Sequence, residues 1–258
     1  MAHATGSAAS KIPEVTLAFW IIKFAATTLG ETGGDTVTMT LDWGYLAGTA
    51  LFLSLLLILV IAQIAADEFH PFLYWTTIIA STTAGTTIAD FADRSVGIGY
   101  AGGSSVLFVG LMAVLGVWYW SLGSISVATV DTPKAEAFYW AAITLSQTLG
   151  TALGDWTADD TGLGYEGAAL VFAAGLAALA LAYVFTNVSR VFLFWAAFIL
   201  SRPLGVTVGD FLDKPVAEGG LALSRPLASA LLAIFIVACL LALPQKTGRH
   251  PGQSETTP

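Results

Sequence analysis

Four times in this chain a tryptophan is followed ten residues later by a glycine and five residues after that by an aspartate. The sets are Trp20/Gly30/Asp35, Trp75/Gly85/Asp90, Trp140/Gly150/Asp155 and Trp195/Gly205/Asp210, and a further glycine falls nine residues after each aspartate, at Gly44, Gly99, Gly164 and Gly219. The four copies align without a gap. Any fold for this chain must therefore supply one local environment four equivalent times, which points to a repeat architecture.

Composition decides the solvent of that architecture. Of 258 residues, 56% are apolar and 11% charged, against about 25% charged in soluble domains, and the mean hydropathy is +0.76. The chain reads as an all-α integral membrane protein whose partner is the lipid bilayer, with a homo-oligomer left open. The net charge of −8 gives no reason to expect nucleic acid. The single cysteine, Cys239, excludes an internal disulfide and a CxxC motif and reads as a structural thiol. No apolar signal-peptide core precedes the first span, so residues 1–13 and 244–258 are expected as disordered polar tails.

Each repeat reads as two helices. The second segments (Tyr45–Ile64, Tyr100–Trp120, Tyr165–Phe185 and about Leu223–Leu243) have the length that crosses about 30 Å of hydrocarbon. The first segments are shorter, with roughly 15 to 18 apolar residues before the acids begin. About eight transmembrane helices result, in four hairpins of parallel orientation. The aspartate spacings of 55, 65 and 55 place one membrane half at 14–120, a connecting segment at 121–137 and a second half at 138–243. Lys11, Lys134, Arg190, Lys246 and Arg249 on the side of the termini outnumber Arg94, Lys214 and Arg225 near the acids. The positive-inside rule then puts both termini in the cytoplasm of a multi-pass inner-membrane protein.

A carboxylate in hydrocarbon-grade sequence is a functional-site hypothesis by default. Ahead of each aspartate runs a ladder of small residues: Ala26/Gly30/Gly34, Ser81/Gly85/Ala89, Ser146/Gly150/Gly154 and Ser201/Gly205/Gly209. Such ladders let helix backbones approach closely in membranes. If the helix stays regular the small stripe faces a neighbour and the acid a shared cavity; if it breaks at the glycine, carbonyls become ligands too. Turn or capping chemistry would also place Asp after Gly, though it does not require one residue type in all four turns.

In Asp90–Arg94 and Asp210–Lys214 a base follows a second acid, Asp93 or Asp213, and is expected to neutralise it. Repeats 1 and 3 lack that base, and so are expected to hold the uncompensated ligands. The candidate metal ligands are Glu31, Asp35, Asp90, Asp155, Asp159 and Asp210, with Glu31, Asp35 and Asp155 central. All-oxygen ligation suits hard divalent cations: Mn²⁺, Ca²⁺ or Mg²⁺ as substrate. Lys23 and Arg202 lie within first-segment helices and are expected to pair with acids among Glu31, Asp35 and Asp210. The tryptophans, mostly at segment ends, read as an interfacial belt. The three histidines are terminal or in a connection, and no P-loop, GxSxG or HExxH motif is present, so no enzyme is expected.

The Trp-x9-Gly-x4-Asp repeats, over residues 17–243, resemble a family of bacterial membrane-anchored proteins that implies no activity. Glu31-Thr-Gly-Gly-Asp35-Thr36 is similar to the Glu-x-Gly-Asp-Lys/Arg-Ser/Thr signature of Mn²⁺/Ca²⁺ exchange proteins, with one residue inserted and the basic residue missing. That resemblance implies Mn²⁺ or Ca²⁺ ahead of Mg²⁺. The expectation is a divalent-cation transporter, directed to export. A membrane sensor or scaffold, or a proton or monovalent-cation channel, would use the same residues differently.

Overall fold

The structure, a computed structural model, describes residues 10–248. Among these are eight long helices: α1 (Leu17–Asp35), α2 (Gly44–Ala65), α3 (Pro71–Asp90), α4 (Tyr100–Leu122), α5 (Pro133–Asp155), α6 (Gly164–Phe185), α7 (Arg190–Asp213) and α8 (Arg225–Ala242). Their starts follow local rules. Thr16, Thr132 and Ser189 accept from the backbone N–H of Phe19, Ala135 and Phe192, and Pro71 and Pro133 open helices where no amide partner is needed. The even-numbered helices lie close to the expected spans. α5 begins five residues ahead of the Phe138 expected for it, because Thr132-Pro133 is itself a helix start inside the connecting segment.

Odd and even helices occupy different layers. α1, α3, α5 and α7 form a closed inner ring in that order, with α7 returning to α1. Each even helix packs on the odd helix of the next repeat: α2 on α3, α4 on α5, α6 on α7, and α8 on α1. The two helices of a repeat are therefore not a self-packed hairpin; they embrace the neighbouring repeat. Polarity is inverted relative to a soluble bundle. The even helices expose residues such as Leu57, Ile61, Val109, Leu170 and Leu241, while the buried set is rich in Thr, Ser, Gly and Asp from the odd helices. Five helices (α2, α4, α6, α7 and α8) are long and apolar enough to cross a membrane.

The two repeated glycines have separate physical reasons. Gly30, Gly85, Gly150 and Gly205 are the points of closest approach around the ring. A Cβ on Gly30 would strike Thr82, on Gly85 the Gln147 carbonyl carbon at 2.9 Å, on Gly150 the Arg202 stem and on Gly205 Thr27. Each glycine thus meets the residue three before the glycine of the adjacent repeat, so the contact runs round the ring. Gly44, Gly99, Gly164 and Gly219 all have positive φ, from 64° to 85°, where the chain turns toward its even helix.

The end of the ring opposite the acids is aromatic. Trp75, Trp140 and Trp195 are buried against Tyr74, Tyr139 and Phe194, and the Tyr74 and Tyr139 hydroxyls lie 2.6 Å apart. This corrects the interfacial belt: the odd helices are wrapped by other helices, so their ends meet one another instead of lipid headgroups. Trp43, Trp120 and Trp156 are the exposed ones. The indoles of Trp195 and Trp75 donate to the Ile125 carbonyl and to Gln245, fastening the chain segments that cross this end.

Those parts of the expected tails that are described are built into the fold. Lys11 donates to the carbonyls of Gln63, Ile64 and Ala66, capping the C-terminus of α2, and pairs with Glu136 at 2.6 Å. Pro13 bridges to Thr247. Residues 1–9 and 249–258, and the remainder of the tail expectation, lie outside the described residues.

Candidate functional site

Each odd helix stays α-helical through its glycine and ends at or just after its aspartate. In repeats 1 to 3 the aspartate is followed at once by a wide π-helical turn: Thr36–Thr40, Phe91–Val96 and Trp156–Asp160. The helix does not break at the glycine. Its register widens one residue past the acid, a feature frequent at functional positions. In repeat 4 Pro215, which has no amide to donate, ends the helix instead.

Ring closure brings Asp35, Asp90, Asp155 and Asp210 to one end of the bundle, all buried, at 1 to 3% exposure. Glu31, one turn deeper on α1, is buried with them. One oxygen each from Glu31, Asp35 and Asp210 lies within 4.8 Å of the others. Asp90 and Asp155 occupy the other half of the ring. Asp159 is exposed beyond the ring and accepts from Tyr100 at 3.4 Å.

The bases are placed otherwise than the local spacing implies. Arg94 pairs with Asp90 at 3.0 Å and reaches Asp155 at 3.9 Å; Lys214 pairs with Asp210 at 3.3 Å and reaches Asp35 at 3.8 Å. Each base thus serves the acid one turn before it, plus the acid of the following repeat. The expectation that they neutralise Asp93 and Asp213 is corrected by this geometry, since four residues is the spacing at which helical side chains meet. The expectation that repeats 1 and 3 are uncompensated is corrected too, because ring adjacency hangs each base over its neighbour's acid. Asp213 is held by Arg225 at 3.2 Å, and Arg225 also lies 3.5 Å from Asp35. Burial raises the Asp93 carboxyl above its usual range, with Arg94 partly opposing. For Lys214, burial works against the charge, but Asp210 and Asp35 outweigh it and hold the ammonium above the ordinary lysine value.

Below the acids the axis is plugged. Arg202, fully buried on α7, donates to the Thr27 carbonyl (2.8 Å) and Glu31 (3.1 Å) on α1. It also reaches the Thr82 carbonyl (3.3 Å) and the Thr86 hydroxyl on α3, and Thr151 (2.8 Å) on α5. One guanidinium ties its helix to the other three of the ring. The Arg202–Glu31 pairing agrees with expectation. Lys23 does not pair with an acid: its ammonium has a 3.5 Å bond to Ser201 Oγ and sits 4.1 Å over the Phe198 ring.

Among the described residues this end holds six buried carboxylates (Glu31, Asp35, Asp90, Asp155, Asp210 and Asp213), paired with four bases, Arg94, Arg202, Lys214 and Arg225. Asp35 Oδ1, Asp90 Oδ2 and Asp213 Oδ1 are buried without a hydrogen-bond partner. A buried carboxylate oxygen without a partner is costly, and a cation is what it can accept. Sequence reasoning found the acids and Arg202. It missed the bridging role of Arg94 and Lys214, whose signal was the four-residue spacing from Asp90 and Asp210 taken together with a closed ring, and that of Arg225, which no local spacing marks.

No curated protein and no solved structure matches the chain. A family profile matches four times, at residues 18–68, 73–124, 138–189 and 193–244, each match covering one odd helix and the even helix after it. The chain belongs to the family described as a repeat of unknown function, DUF347.

Proposed function

We propose that this protein is a membrane carrier for a hard divalent cation, with Glu31, Asp35 and Asp210 as its ligands and all eight helices crossing the inner membrane, both termini cytoplasmic. The observation that carries the reading is the convergence of those three buried carboxylates with a free oxygen on Asp35. Ligand oxygens within 4.8 Å of one another can share a single ion of Ca²⁺ size, whose bonds run about 2.3–2.6 Å. α1, α3 and α5 need not be as apolar as lipid-facing spans, because the even helices cover them. The comparisons lend nothing to the exchange-protein signature, so the proposal is by ion class, and export remains part of it only through the orientation of the acids outward.

A carrier is favoured over an open channel by the Arg202 layer, which closes the axis beneath the acids. Passage requires that layer to part, so the state described is one of at least two. The test is calorimetry and thermal unfolding of purified protein with Mn²⁺, Ca²⁺, Mg²⁺ and Zn²⁺, followed by flux into proteoliposomes. Saturable stabilisation by a hard ion, lost in Asp35→Asn and in Asp210→Asn, is expected. Indifference of the wild type to every ion, or binding and flux unchanged in both variants, would remove the proposal. A response to protons or monovalent ions alone would put the same carboxylates to that use instead.

A further inference from the structure

The Glu31–Asp35–Asp210 cluster already contains a cation. The Lys214 ammonium lies 3.3 Å from Asp210 and 3.8 Å from Asp35, two of the three acids that converge. We propose that Lys214 is the displaceable internal cation of this site, so that a divalent ion enters by exchanging with its side chain. This rests on the cation reading above and adds what sets its affinity and selectivity.

Three observations carry it. First, Asp35 is 1% exposed and its Oδ1 has no hydrogen-bond partner, so the lysine leaves one buried carboxylate oxygen of the cluster unsatisfied. Second, the Lys214 backbone is anchored at three points, while its ammonium is held only by the carboxylates of Asp210 and Asp35. Its N–H donates to the Asp210 carbonyl at 2.8 Å, its carbonyl accepts from Ala222 at 2.9 Å, and Gly220 packs so tightly on that carbonyl that a Cβ would collide with it. An ammonium on a flexible four-carbon stem can swing out from such an anchor without moving α7. Third, the opposite half of the ring shows what a permanent clamp looks like. There Arg94, a planar guanidinium, spans Asp90 and Asp155, and the position equivalent to Glu31 is Thr151, so the third acid is missing. Across the two equivalent base positions, a lysine bridges Asp210 and Asp35 with Glu31 beside them, whereas an arginine bridges Asp90 and Asp155 with Thr151 in place of the glutamate. The ring is therefore asymmetric: one half exchanges its cation and the other retains it. After exchange Asp35 keeps Arg225 at 3.5 Å and Glu31 keeps Arg202 at 3.1 Å, so the ligands stay oriented while the ion is held.

The experiment uses the full-length protein in detergent, titrated with the chlorides of Ca²⁺, Mn²⁺ and Mg²⁺, as wild type, Lys214→Met, Lys214→Arg and Arg94→Lys. In parallel, the wild type is treated with an amine acetylating reagent at rising ion concentration, and Lys214 modification is read by mass spectrometry. Removing the internal competitor should tighten ion binding about ten-fold or more in Lys214→Met, and Lys214→Arg should weaken it by a similar factor. Lys214 acetylation should rise with the midpoint of ion binding, and Arg94→Lys should not tighten binding at the Glu31 side. Wild-type binding with an unchanged or weaker Lys214→Met affinity overturns the exchange while leaving the cation site standing. Absence of binding in the wild type overturns both readings. Should Lys214→Met fail to fold, acetylation of the wild type decides: no change at saturating ion overturns the proposal.

Discussion

At the scale of single residues, the interior depends on a few charges with many partners. Arg202 has no exposure and bonds to all three neighbouring helices of the ring. Its removal leaves Glu31 buried without its base, beside Asp35 and Asp210 and with only the Thr86 hydroxyl donating to it, an effect of about 3–5 kcal/mol for a broken buried pair. Arg202→Met is therefore expected to lower the unfolding temperature sharply in detergent. Arg202→Met/Glu31→Gln should recover part of the loss, since it leaves no buried charge alone. Equal stability of the single and double variants would show that the pair is not what Arg202 supplies. Sequence logic could place Glu31 among three candidate partners, with Asp35 and Asp210, because an intramembrane base must find an acid. The same logic failed for Lys23, whose neighbours turned out to be a hydroxyl and an aromatic face, because charge rules ignore which helix faces which.

At the scale of elements, the four ring contacts differ in how much they can yield. Gly85 faces backbone: a Cβ there would lie 2.9 Å from both the Gln147 carbonyl carbon and the Thr148 nitrogen. Gly85→Ala should therefore force α3 and α5 apart and cost about 1–3 kcal/mol as an overpacked contact. Gly110→Ala, in α4 with open space around the added carbon, should be neutral or gain up to about 1 kcal/mol from helix propensity. Thermal unfolding of the two variants separates close packing from mere helix content. The even helices were legible to within a couple of residues, since the length of their apolar runs sets their extent and Gly44, Gly99 and Gly164 mark where α2, α4 and α6 start. The π-turns after Asp35, Asp90 and Asp155 were not legible: a one-residue change of hydrogen-bond register leaves no compositional trace.

At the scale of the whole molecule, four repeats and their common orientation could be read from period alone, because two helices per repeat return the chain to the same side. The order of covering could not, since identical repeats say nothing about whether a helix lies on its own partner or the next one. That ambiguity is also why the Trp75, Trp140 and Trp195 side chains were expected at lipid interfaces. The proposed topology predicts that reporter fusions at the two ends give the same cytoplasmic signal. A fusion at Gly162, in the turn beyond the acids, should give the opposite one. Matching signals at all three positions would contradict it.

The pairing of α8 with α1 has a consequence for biosynthesis. As the chain emerges, α1 waits longest of the four odd helices for its cover, because, of the eight, α8 is made after all the others. Until then its threonine-lined flank, including Thr32, which accepts from Ser229 of α8 at 2.9 Å, has only lipid or the insertion machinery beside it. A ribosome stalled before residue 225 would leave the first repeat unsheltered even though three complete repeats had entered the membrane, so quality control that senses bare polar helix flanks would read the N-terminal end of the chain to learn whether the C-terminal end had arrived.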